Sequence, residues 1–312
     1  MRAILAIAAL ALLTAPAAHA ADRLRLQLAA EPTAAHAGYV VARERGFYAA
    51  EGLQVELLPG QSDSPPDAAL ARGTADVAVM GLPHALAARG AGLPVVNVAQ
   101  PFGAGSLGLA CLRAAGIEGP ASDLSGQTIA VDPTGDDLVL RAWLSHQGIA
   151  ADGIAADGGA TGVTLIARGD GLAQLESGRA TCVAVHAADP TPTGPIVRFR
   201  LADGGVDLPD NGIYVLAPTL NDPAARDRLE RFVRASIRGW REAAAQPDAT
   251  ATLLATLDGG RVTDQRQRLD AVLPLLGSGA IGPDTVAQAG ATLGIATDAG
   301  AWTTAITDAA LR

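Results

Sequence analysis

The run Ala35-His36-Ala37-Gly38-Tyr39-Val40-Val41-Ala42-Arg43-Glu44-Arg45-Gly46-Phe47-Tyr48-Ala49-Ala50-Glu51-Gly52-Leu53 decides the fold. It reads as a short amphipathic helix that stops at glycine and passes directly into a strand at 53–58. A second strand is expected just before it, at 24–29, which makes a βαβ unit. In open α/β sheets the loop leaving the first strand faces the ligand crevice. Here that loop is 30–35, so His36 and Tyr39 open a helix at a candidate binding site.

Strand and helix patterns keep alternating beyond this unit. Strands are expected at 77–80 and 95–99 around a helix at 82–89, and 107–113 is an apolar run that crosses between lobes. A strand at 128–131 leads to a helix at 138–146 with Leu140, Trp143 and Leu144 on one face. A further βαβ unit covers 163–185, a strand is expected at 196–201, and 213–216 is the returning strand. From Asp222 the pattern is helical. Leu229, Phe232, Val233, Ser236, Ile237 and Trp240 form one apolar stripe, and another helix is expected at 264–276. The expectation is two doubly wound α/β lobes, 21–106 with 213–312 and 107–212, joined by crossings near 101–112 and 200–214. Such a hinged pair closes around a small ligand.

Residues 1–20 carry Arg2, an apolar run from Ile4 to Leu13 and Ala18-His19-Ala20, the pattern of a cleaved secretory leader. That apolar run is well short of the ~20 residues a membrane span needs. The mature chain is therefore expected in the periplasm, soluble and monomeric.

The net charge is −9, which argues against nucleic acid and anionic membrane surfaces as partners. Aromatic residues make up only 3% of the chain, so few rings are available to stack on a flat ligand. There is no lysine: all 23 basic residues are arginine. Schiff-base chemistry and lysine-bound pyridoxal phosphate are thereby excluded, because both need a primary amine. No cofactor is expected. The two cysteines, Cys111 and Cys182, are open to two readings: a disulfide, or two small buried apolar residues on strands.

Candidate ligand contacts cluster at expected strand ends. Glu31 and His36 flank the first crevice loop, with Tyr39 one turn along. Gln61 and Ser62 follow the second strand and lead toward a helix N-terminus with free backbone donors. Met80 and His84 follow the third strand, and Gln100 ends the fourth at the hinge. Thr134 and Asp136 begin the second-lobe helix, where an acidic side chain suits an amine or simply the helix dipole. His186 follows the last strand of the second βαβ unit. His36, His84 and His186 lack the tight spacing of a metal site, and no metal is assigned. No phosphate loop, Ser–His–Asp order or paired-carboxylate motif stands out.

Several stretches resemble one family: 31–60, Gly73-Thr74-Ala75-Asp76-Val77, the run from Leu93 to Gln100, the run from Asp210 to Leu216, and the run from Arg231 to Trp240. They are similar to the SsuA/THI5-like solute-binding proteins, which have the type II periplasmic binding fold. The resemblance implies delivery of a small polar solute to the permease of an ABC importer in the inner membrane. Its nearest branch looks like proteins that bind thiamine pyrimidine precursors or riboflavin-like compounds. That branch has a tryptophan before the first helix, where this chain has Ala29 or Ala30. It also has an aromatic and a Glu where this chain has Pro133-Thr134-Gly135-Asp136-Asp137. The solute is therefore expected to be polar, heterocyclic or amine-bearing, in a retuned pocket. The same fold hosts a thiamine pyrimidine synthase, and His84 looks like its active-site histidine. The synthase lysine falls on Met80, however, and its cysteine cluster falls near 210–215, where no cysteine exists, so an enzyme is not expected. A solute-sensing partner of a membrane receptor is the other reading.

Overall fold

The computed structural model describes residues 21–60, 64–133, 135–151, 162–169, 171–190, 192 and 194–312. The leader expected at 1–20 lies outside them, as do the candidates Gln61, Ser62 and Thr134. In chain order the strands are β1 (Asp22–Gln27), β2 (Leu53–Leu58), β3 (Val77–Met80), β4 (Val95–Phe102), β5 (Gly108–Leu112), β6 (Thr128–Val131), β7 (Thr164–Ala167), β8 (Cys182–Val185), β9 (Ile196–Arg200), β10 (Gly212–Leu216) and β11 (Leu276–Gly279). They form two sheets, ordered β11-β4-β10-β3-β1-β2 and β7-β6-β8-β5-β9.

Each sheet has a parallel part built from βαβ units. β1 pairs in parallel with β2 and β3, and β6 with β7 and β8. The returning strand β10 is antiparallel to both β3 and β4, and β5 is antiparallel to β8 and β9. The chain passes from the first sheet to the second between Phe102 and Gly108, and back between Arg200 and Gly212. This is the two-lobed α/β architecture of periplasmic binding proteins. The run at 107–113 proves to be strand β5, inside the second sheet, and the crossing itself is the short segment before it.

The first helix is in two pieces, Ala37–Glu44 and Phe47–Ala50, because Gly46 between them adopts φ +72°, a left-handed turn that glycine takes without strain. The long helix Pro223–Ala245 starts with an Asp222 carboxylate accepting from the Ala224 N–H, and Pro223 occupies its first turn. Leu229, Phe232, Val233, Ser236 and Trp240 are buried along its stripe, packed on the first helix. The helix expected to run to 276 ends at Val272, and 276–279 instead forms β11 on the edge of the first sheet.

Cys111 and Cys182 sit opposite each other on β5 and β8 and are joined by a disulfide. The helix Pro283–Leu293 touches both Leu82–Gly90 of the first lobe and Asp136–His146 of the second. Its Val286 and Ala289 share one apolar cluster with Leu86, Leu140 and Trp143. The C-terminal region therefore braces both lobes. Among the described residues no helix is long and apolar enough to cross a membrane.

Candidate functional site

Residues leaving the carboxyl ends of strands from both sheets line one cavity of about 260 Å³. Ala29 and Ala30 follow β1, Met80 ends β3, Asp132 follows β6, Arg168 follows β7 and His186 follows β8. This is the position that open α/β sheets give to ligands. Both crossings contribute as well: Phe102, Gly105 and Ser106 from the first, Leu208, Asp210 and Asn211 from the second. Phe102 supplies an aromatic wall, and its ring is wedged edge-on against Trp240 at 5.1 Å.

His186 is the centre of a charged cluster. Its Nε2 donates to Asp136 Oδ2 at 2.9 Å, at the start of the second-lobe helix. Its Nδ1 lies 2.7 Å from Ser106 Oγ and 3.2 Å from Asp210 Oδ2, one residue on each crossing. Burial alone would push the imidazole down, but Asp136 and Asp210 on its two nitrogens hold its pKa well above the usual histidine value. His186 is thus an imidazolium at neutral pH. Asp210 is likewise buried, yet His186, Ser106 and the Asn211 N–H keep its carboxyl at about 2. Asp189 accepts from the His186 backbone N–H at 3.0 Å and pairs with Arg168 at 2.6 Å.

Ser106, His186 and two aspartates are the residue types of a hydrolytic triad, but their bonding is wrong for one. An imidazolium that donates from both nitrogens has no lone pair to take the serine proton. The Ser106 hydroxyl meanwhile donates to Asp210.

His36 behaves oppositely. It is only 1% exposed, and its Nδ1–H donates to the Glu31 carbonyl at 3.0 Å. Burial pushes its pKa down to about 4, against the pull of that carbonyl and of Asp210. The ring is therefore neutral, and its Nε2 carries a lone pair that has no partner among the described residues. Leaving such an acceptor unpaired costs about 1–3 kcal/mol. His84 Nε2 lies 3.0 Å from Asp67 Oδ1, close as an ion pair but not aligned for a hydrogen bond. His84 still holds the Asp67 carboxyl below its ordinary value.

The cavity brings together His36, Met80, His84, Asp136 and His186. Three other candidates are placed elsewhere. Tyr39 is fully buried in the first-lobe core with its ring edge-on to Trp240, because the cavity lining from this segment stops at His36, before its helix begins. Gln100 is a hinge clamp: its Nε2 donates to the carbonyls of Phe102 (2.9 Å) and Asp210 (2.6 Å), and its Oε1 accepts from Asn97. Glu31 is exposed and contributes its backbone carbonyl to His36, while its carboxylate stays outside the lining. Sequence reasoning missed Phe102, Ser106, Arg168, Asp189 and Asp210.

The family profile described as NMT1/THI5 like matches residues 33–250, more than two thirds of the chain. The chain belongs to the NMT1/THI5-like family. It is similar in structure to a protein of Bordetella bronchiseptica RB50, at 20% identity over 94% of this chain and 97% of that one, with a TM-score of 0.71. It also resembles the periplasmic aliphatic sulphonate binding protein SsuA from Escherichia coli, at 17% identity over 88% and 91% of the two chains, with a TM-score of 0.64. At such identities the likeness establishes the fold. In sequence, the 4-amino-5-hydroxymethyl-2-methylpyrimidine phosphate synthase THI11 of Saccharomyces cerevisiae is 26% identical over 128 residues, 41% of this chain. The match spans 38% of the synthase's own length.

Proposed function

We propose that this NMT1/THI5-like protein is the periplasmic solute-binding subunit of an ABC importer. It traps one small polar, amine-bearing ring by closure of its lobes and hands it unchanged to the permease. The observation that carries this reading is a cavity lined by strand ends of both sheets and by both crossings. Its volume, about 260 Å³, lies just below the ~300–1,000 Å³ range of ligand sites and favours a monocyclic solute such as a thiamine-precursor-like pyrimidine over a tricyclic flavin. The synthase reading fails on chemistry, because a chain without lysine cannot carry pyridoxal phosphate as a Schiff base.

The test is a thermal-shift screen of pyrimidines, amines, sulfonates and flavins, followed by small-angle scattering with any binder. A monocyclic amine should raise the melting temperature; saturation at 100 times Kd adds about 2.7 kcal/mol. It should also shrink the radius of gyration and be recovered intact. Chemical conversion of the solute, or no closure with any compound, would overturn the proposal.

A further inference from the structure

We infer that His36 is the specificity-determining residue of this cavity, selecting solutes that bury an N–H donor and carry no negative charge. The inference rests on the solute-binding reading above and deepens it by fixing the ligand's polarity. Three features of the cavity converge on it.

The first is the unpaired lone pair. His36 lies in the cavity wall, nine-tenths and more buried, with its Nδ1–H committed to the Glu31 carbonyl. That bond fixes the tautomer, so Nε2, itself buried and without a partner among the described residues, can meet a ligand only as an acceptor and never as a donor. A ligand N–H satisfies it; a sulfonate or carboxylate oxygen presents a second acceptor and leaves it unpaired.

The second is the charge of the wall. Three carboxylates whose partners are known, Asp136, Asp189 and Asp210, line the cavity against one arginine, Arg168, and the His186 imidazolium. Both of those cations are already engaged, Arg168 by Asp189 and His186 by Asp136 and Asp210. An incoming anion therefore meets surplus negative charge in a partly dehydrated site, where like charges repel more strongly than in water. An incoming cation meets complementary charge.

The third is shape. Phe102, Met80, Val139 and Leu208 form apolar walls beside the polar groups. A flat ring with a protonated or donor-bearing amine satisfies both parts.

Benzamidinium, benzamide and benzoate share one shape and differ in charge and donor count, so they isolate the claim. Calorimetry at pH 7.5 on the full protein should give benzamidinium a Kd at least tenfold below that of benzoate, with benzamide between them. His36→Leu should weaken benzamidinium about tenfold and leave benzoate unchanged, with circular dichroism confirming the fold. If that variant does not fold, the 15N resonance of His36 Nε2 in the wild type is the substitute readout, and it should move on adding benzamidinium. Equal or tighter binding of benzoate overturns the inference, as does full benzamidinium affinity in His36→Leu or a stationary Nε2 resonance. Failure of all three probes in a protein that closes on some other solute also overturns it. A protein that closes on nothing overturns the solute-binding reading itself.

Discussion

At neutral pH His36 is uncharged and His186 is charged, although both line the same cavity. The two residues therefore load the folding equilibrium in opposite directions. Below the ordinary histidine value of 6.5, unfolded His36 gains a proton that the folded state refuses until about 4, so stability falls as pH drops through that window. The His186 contribution is complete below 6.5 and is lost as pH rises toward its elevated folded value. Asp210, held at about 2, adds stability above its ordinary 3.8 that disappears in stronger acid. Stability should accordingly peak near pH 6.5, with limbs no steeper than about 1.4 kcal/mol per pH unit for each proton. Urea melts from pH 4 to 9 check this. His186→Gln should flatten the alkaline limb and His36→Gln the limb between 4 and 6.5; unchanged limbs would refute the assignment. The rule that residues follow strand ends into the crevice was enough to single out His36, Met80, His84, Asp136 and His186 in the sequence, and all five line the cavity. Ser106 and Asp210 lie on crossings with no periodicity to read, and their roles appear only once His186 is seen between them.

Among the elements, the tightest fit is where the first helix crosses Pro223–Ala245. A Cβ on Gly239 would overlap the Gly38 carbonyl oxygen and lie 2.9 Å from Ala42 Cβ, and one on Gly38 would run into the Trp240 ring. Two effects compete in Gly239→Ala. Helix propensity favours alanine by about 1 kcal/mol, while overpacking costs about 1–3 kcal/mol and a backbone carbonyl cannot step aside as a side chain can. The clash wins, and thermal melts should show Gly239→Ala destabilised. Gly90→Ala is the matched control, since nothing lies within 4 Å of its added methyl. It should be neutral or stabilised by up to about 1 kcal/mol. The apolar stripe from Leu229 to Trp240 was legible in the sequence because a 3.6-residue period is a strong signal. The strand β11 was not, because Leu-Gly-Ser-Gly has no strand propensity and pairs with β4 only through Leu276–Phe102 and Gly279–Gln100.

Across the whole molecule, alternation of strands and helices was sufficient to anticipate two α/β lobes, since βαβ units leave that mark in composition. The insertion of β10 between β3 and β4, and the bracing helix Pro283–Leu293, depend on long-range packing that no local pattern encodes. Lobe closure has a distinct contact point. Gly135 of the second lobe, at φ +120°, is so close to the first lobe that its Cβ would sit 2.8 Å from the His84 nitrogen and 2.9 Å from the His84 Cα. Gly135→Ala therefore incurs two costs: a backbone penalty in any folded form, because φ +120° with ψ −28° lies outside the left-handed well that L residues enter at about 1–2 kcal/mol, and a clash that exists only when the lobes are shut. Gly148→Ala separates them, because Gly148 has φ +73° with nothing within 4 Å. Both variants should lose melting temperature, but only Gly135→Ala should lose ligand affinity and scatter X-rays with a larger radius of gyration. The open form then gains population by the energy of the clash alone, and any ligand that requires closure has its apparent affinity reduced by the same factor. Equal affinity in the two variants would show that the lobes do not part at this point.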